Sequence, residues 1–219
     1  MPTEVWTKAG PISMPPDGET RTLEQRNALS VGDPGPFSLF AFAIGTIVIA
    51  VVLSGLEPMT SIPAVIPSVL FVAGIGQFIG GLFAYGKGDT FSATAFCLYG
   101  ANNVLVASFF WMVSRGLSVA TGPQMLLLGM GEFVVAYASL ALAVAALRLN
   151  WTLVGITSAL VLGYALPAVT DVGGLPVVGH IGGYFLFLAA LLALYAATAM
   201  LVNSTWQRSV IALGSLRKT

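Results

Sequence analysis

The stretch Phe37–Ser54, FSLFAFAIGTIVIAVVLS, holds no charged residue and is about as long as a helix must be to cross a bilayer, ~20 residues. Five more apolar runs of similar length follow it: Ile66–Tyr85, Phe91–Val113, Met125–Leu147, Trp151–Thr170 and Val178–Leu201. None shows the alternation expected of barrel strands. Between Pro34 and Val202 the only charges are Glu57, Lys87, Asp89, Arg115, Glu132, Arg148 and Asp171. Over all 219 residues, 57% are hydrophobic and 8% charged, where a soluble domain carries about 25% charged residues. The fold class is therefore an all-α integral membrane protein with six transmembrane helices, and an ordinary soluble enzyme is excluded. Net charge is zero and no basic tract stands out, so nothing points to nucleic acid. With a single cysteine, Cys97, and a single histidine, His180, no disulfide framework, metal centre or cofactor is expected.

The breaks between runs are short and polar. Gly55-Leu56-Glu57-Pro58 and Ser61-Ile62-Pro63 separate the first two, and in Gly86-Lys87-Gly88-Asp89-Thr90 either Asp89 or Thr90 can cap the third helix. Gly116 to Pro123, Arg148-Leu149-Asn150 and Asp171 to Pro176 close the remaining gaps. Such connections predict antiparallel packing of consecutive helices. Six spans put both termini on one face with Lys8, Arg21, Arg26, Lys87, Arg148, Arg208, Arg217 and Lys218, leaving Arg115 alone opposite. Positive charge is retained in the cytoplasm, so both termini are expected there. Residues 1–33 read as a polar cytoplasmic tail without an apolar signal-peptide core, or as a tail whose Leu23–Leu29 segment lies against the membrane domain. Residues 34–202 form the membrane domain, and 203–219 a second cytoplasmic tail.

Polar groups inside hydrocarbon are costly and normally face protein or water. Tyr99, Asn102 and Asn103 sit at i, i+3 and i+4, on one face at mid-membrane depth. Either they clamp neighbouring helices or they line a wet pathway, and Gln77, between Gly76 and Gly80, invites the same two readings. Phe42 and Thr46 share a face of the first helix, one turn beyond Ser38. Its approach, Asp33-Pro34-Gly35-Pro36, fixes where that helix begins; the exposed N–H groups there attract anions, while the Asp33 carboxylate competes for them. Glu132 is the one acid well inside a span. It is either an interfacial carboxylate or a protonatable group, and His180 is either interfacial or a pH sensor. Gly76/Gly80 and Gly179/Gly183 are GxxxG pairs that permit close helix approach, within one chain or between chains. No nucleotide loop, nucleophile elbow or metal motif is visible, and no catalytic acid–base pair, so the chain does not read as an enzyme.

Several strings together resemble the acetate uptake transporter family, whose bacterial member is the succinate–acetate permease. Asp33-Pro34-Gly35-Pro36-Phe37-Ser38-Leu39 is similar to the family's opening signature N-P-A-P-L-G-L. Gly76-Gln77-Phe78 with Gly81-Leu82, Tyr85 to Phe91, Thr94-Ala95-Phe96 and Tyr99-Gly100 resemble its passage from the second helix to the third. Asn203 through Arg208, with Val210 and Gly214, is similar to its C-terminal sequence. The resemblance implies a six-helix protomer in a homohexamer, each with its own acetate pathway. It also implies an apolar constriction of a Phe, a Tyr and a Leu, which fall on Phe42, Tyr99 and Leu160, and a glutamine on Gln77. Departures include Asp33 and Ser38 in the signature, Ala84 for an acidic residue, and Asn102 and Asn103 where the family has aromatics.

The expected function is passage of acetate and related short carboxylates, succinate among them, across the plasma membrane, by a channel or a proton-linked transporter. Ser38, Thr46, Gln77, Asn102 and Asn103 are candidate polar lining, and Glu132 and His180 candidate proton-linked groups. Lipid and further copies of the chain are the expected partners. A channel for ammonia, ammonium or urea is the alternative that the asparagines favour, and a non-transporting sensor or scaffold is the rival from another class.

Overall fold

The computed structural model describes residues 32–216, so the expected N-terminal tail, with its Leu23–Leu29 segment, falls almost wholly outside the described residues. Within them the chain is all-helical. Six helices are long and apolar enough to cross a membrane: α1 Gly35–Leu53, α2 Met59–Gly86, α3 Thr90–Ser114, α4 Pro123–Ala146, α5 Trp151–Gly173 and α6 Pro176–Trp206. The protein is thus a multi-pass membrane protein. Its outer surface carries large exposed apolar side chains, among them Phe71, Leu127, Val134, Tyr137 and Val144. That is a surface suited to lipid and not to water.

Local chemistry sets the helix ends. At α1 the Gly35 N–H donates to Asp33 Oδ1 (2.9 Å), and Pro36 occupies the first turn, where a missing N–H costs nothing. Asp89 Oδ1 accepts from Ser92 N at the start of α3 (3.0 Å), the capping role expected of that turn. Asn150 Oδ1 caps α5 through Leu153 N (2.9 Å).

The helices differ from expectation in three places. α2 begins at Met59, so Ser61-Ile62-Pro63 is not a break. Pro63 lies in the first turn of a short α-helical piece, Ile62–Pro67, and the helix is then wound as a π-helix over Ser68–Gly76 before resuming as α over Gln77–Gly86. Pro67 offers no N–H and crowds the preceding carbonyl, and widening the next turns to i→i+5 bonding accommodates it. Asp171, expected in a loop, sits in the last turn of α5. Asn203 lies within α6, which continues to Trp206.

The six helices form a ring in chain order, with α6 packed back onto α1. Consecutive helices are close neighbours except α3 and α4, which barely touch. Their connection is also the longest, and it leaves the ring with one loose seam. One buried cluster fills the ring near Phe42, Tyr99, Leu160 and Leu186. A second, of Ile49, Ile62, Val69, Val106 and Phe110, packs α1 to α2 and α3 nearer the other end.

After α6 the chain folds back across the end of the bundle where α1, α3 and α5 begin. Asn203 Oδ1 accepts from Val210 N (2.7 Å) and Ile211 N (2.9 Å), while Trp151 N donates to Gly214 O (2.9 Å) and Leu216 N to Leu149 O (3.0 Å). The segment 210–216 is tied down as a strap.

Candidate functional site: an apolar cavity above a closed aromatic neck

α1, α3 and α5 all begin at the same end of the bundle, and each carries one large side chain inward. Phe42, Tyr99 and Leu160 stand seven or nine residues from their helix starts. At 1.5 Å per residue that is ~10–14 Å deep, between a third and a half of a ~30 Å hydrocarbon core. Phe42 is 1% exposed, Tyr99 3% and Leu160 0%, and the three belong to one buried cluster and line one cavity. The Phe42 and Tyr99 rings lie 6.1 Å apart, centroid to centroid, tilted by 41°.

A cavity of about 60 Å³ ends on these three residues. One water needs ~10–15 Å³, so the space suits several waters or one small solute. Its wall nearer the strap includes Leu39, Phe91, Ala95, Leu153 and Met200, and its polar side chains are Gln77, Ser92 and Thr157. No charged residue lines it. The Thr157 hydroxyl is spent on Leu153 O (2.8 Å). Gln77 is buried, and its Oε1 makes no hydrogen bond to the described residues. A buried, unpaired amide oxygen is expensive unless something polar occupies the space beside it.

On the other side of the neck the polar groups continue. Leu160, Tyr164 and Asp171 follow at i, i+4 and i+11, on one face of α5. The Tyr164 ring stacks on Tyr99 (6.1 Å, 8° between planes), with Asn102 and Glu132 nearby. Glu132 projects from α4 one turn after Gly129, where a methyl group would stand 2.8 Å from Asp171 Cβ. Glu132 thus lies near Asp171, and its Oε2 is buried and hydrogen bonded to nothing described. This pair lies in the far half of the bundle, away from the strap.

The remaining candidates scatter. Ser38 is fully buried, but its hydroxyl donates to Pro34 O (2.9 Å) and its side chain presses on Gly80, outside the cavity. Asn103 Nδ2 donates to Ala73 O in the π-wound turn of α2 (3.3 Å), which makes it a helix clamp. Thr46 is buried one turn beyond Phe42 and does not line the cavity. His180 is exposed, with its ring against Gly55 at the far end. Sequence reading passed over Tyr164, Ser139 and the pairing of Asp171 with Glu132. The period from Leu160 along α5 pointed to two of these, whereas Ser139 stands alone in an Ala-rich run and gave no signal.

Known proteins resemble this arrangement. The profile of the GPR1/FUN34/yaaH family matches residues 18–216. The succinate-acetate/proton symporter SatP of Escherichia coli K12 is 27% identical over 184 residues, covering 84% of this chain and 96% of that protein. SatP of Shigella flexneri matches with the same figures. The solved structure of the bacterial acetate channel SatP superposes with a TM-score of 0.77 at 25% identity, over 84% of this chain and the whole of the other.

Proposed function

The chain belongs to the GPR1/FUN34/yaaH family, and from that premise we propose that it carries acetate and related short carboxylates across the membrane. The observation that carries the reading is the small cavity that leads from one face to the buried Phe42–Tyr99–Leu160 neck, with an unpaired amide in its wall. Relatives named for acetate and succinate transport supply the substrate class.

The lining decides the form in which the substrate travels. A bare carboxylate near the bilayer centre costs several kcal/mol or more. Against that cost the cavity offers the Gln77 amide and the Ser92 hydroxyl, and no Lys or Arg. Two neutral donors offset only part of it, at about 0.5–3 kcal/mol each. The neutral acid is the better passenger, so substrate and proton cross together. Glu132 and Asp171, beyond the neck, are then the groups that accept or return the proton, and exposed His180 is peripheral to that path. Asn103, bound to Ala73, leaves less polar lining for ammonia or urea.

In this reading both termini are cytoplasmic, the membrane is the plasma membrane, and protomers assemble as a homohexamer with lipid around it. Residues 1–33 and the chain beyond Trp206 serve as cytoplasmic tails, with residues 210–216 of the second tied across the mouth as a strap. The test is uptake of labelled acetate into proteoliposomes with and without an imposed pH gradient. Lower pH on the outside raises the fraction of neutral acid there, so uptake should rise and acetate accumulate above equilibrium. Equal uptake with and without the gradient would rule out proton-linked passage, and no uptake at all would remove the function.

A further inference from the structure

A phenol hydroxyl buried in hydrocarbon needs a partner, and Tyr99 has one. Its OH donates to Ser139 Oγ at 2.9 Å, and Ser139, fully buried on α4, donates its own proton to Val135 O at 2.8 Å. The bond crosses the one seam of the ring where the helices barely meet, between α3 and α4. The Tyr99 ring is also held between two others, Phe42 at 6.1 Å on one side and Tyr164 at 6.1 Å on the other. Phe42 lines the cavity. Ser139 and Tyr164 do not; each contacts the Tyr99 side chain from outside the cavity lining.

We propose that Ser139 and Tyr164 are positioning residues that lock the Tyr99 ring across the passage and so set the largest carboxylate the neck admits. The proposal rests on the transport reading above. Opening the neck requires the Tyr99 ring to turn or shift. Turning breaks the bond to Ser139 and strands a phenol hydroxyl, since the polar side chains of the cavity lie on its other side; shifting disturbs the parallel stack with Tyr164. A short acid needs a small displacement and a longer one a large displacement. The lock therefore penalises long acids more than acetate.

The experiment measures the ratio of butyrate to acetate uptake in proteoliposomes for Ser139→Ala, Tyr99→Phe, the double variant, Ser139→Thr and Tyr164→Leu. Ser139→Ala and Tyr99→Phe should each raise the ratio by the factor one hydrogen bond commands, about 2- to 12-fold. The double variant should do no more than the larger single change, because both remove the same bond. Tyr164→Leu should move the ratio in the same direction, and Ser139→Thr, which keeps the hydroxyl, should restore it. An unchanged ratio in Tyr99→Phe, which keeps the ring and deletes only the bond, would overturn the proposal even if Ser139→Ala failed to fold. So would single effects that multiply in the double variant. A second readout is independent of transport: the near-ultraviolet tyrosine absorption of the purified protein should shift in Ser139→Ala and not when Tyr99 is already Phe. If the wild type moves no carboxylate, the function fails, and the lock is still judged by that spectrum.

Discussion

Gln77 and Asn103 are both amides in mid-membrane helices, and the structure uses them in opposite ways. Asn103 spends its Nδ2 on a backbone carbonyl of the neighbouring helix, at Ala73. Gln77 keeps its Oε1 unpaired beside the cavity. Their substitutions should separate accordingly. Asn103→Leu should lower thermal stability by about 0.6–1.7 kcal/mol, the range for one interhelical hydrogen bond in a membrane, and leave the acetate KM near that of the parent. Gln77→Leu should do the reverse, leaving the melting temperature in place while acetate uptake falls severalfold. At the neck, Phe42→Ala removes the ring that closes the cavity floor and should raise uptake of longer acids relative to acetate. If neither Phe42→Ala nor Tyr99→Ala altered labelled acetate uptake, the neck would not be the gate.

At the scale of elements, two small residues let helices come closer than a methyl group would allow. A Cβ at Gly80 on α2 would fall on the Ser38 hydroxyl of α1, and one at Gly183 on α6 would fall on the backbone of Ser54 just after α1. The first clash is with a side-chain tip and the second with main chain, so relief is possible only at the first. Gly80→Ala should destabilise the protein and Ser38→Ala should largely rescue it, as read by detergent melting curves. Gly183→Ala should be worse than Gly131→Ala, whose added methyl meets open space. The GxxxG spacings were legible in the sequence, and Gly80 and Gly183 of those pairs each pack against α1 or its end in the same chain. The π-wound turns of α2 were not legible, because Pro63 and Pro67 read equally well as the end of a loop.

At the scale of the molecule, the ring of six helices has one loose seam and one strap. The strap ties the chain after α6 to the starts of α5 and α1's face of the bundle through Asn203, Trp151 and Leu149. Asn203→Ala removes the acceptor for two backbone N–H groups at once. It should release residues 210–216 to limited proteolysis while the helical signal in circular dichroism stays intact; protection equal to the parent's would show that the strap is held by the remaining bonds. The same strap places Ser215 beside Asn150 and Leu216 beside Leu149, in the loop that carries Arg148.

Six membrane helices were readable from the chain alone because hydrocarbon leaves a spanning segment no partner but itself for its backbone. The apolar runs therefore had to be helices, and their ends matched within about five residues except at the start of α2, where prolines intervene. Phe42 and Tyr99 could be placed by face and depth, and the family resemblance joined Leu160 to them. Folding in three dimensions decided how each helix is turned about its axis. Helices that are apolar on every side carry no amphipathic stripe to announce it. Tyr99 meets Ser139 forty positions away, Asn103 meets Ala73 thirty away, and Glu132 finds Asp171 on the next helix. Such partners are chosen by packing between segments, so no local window of sequence contains them.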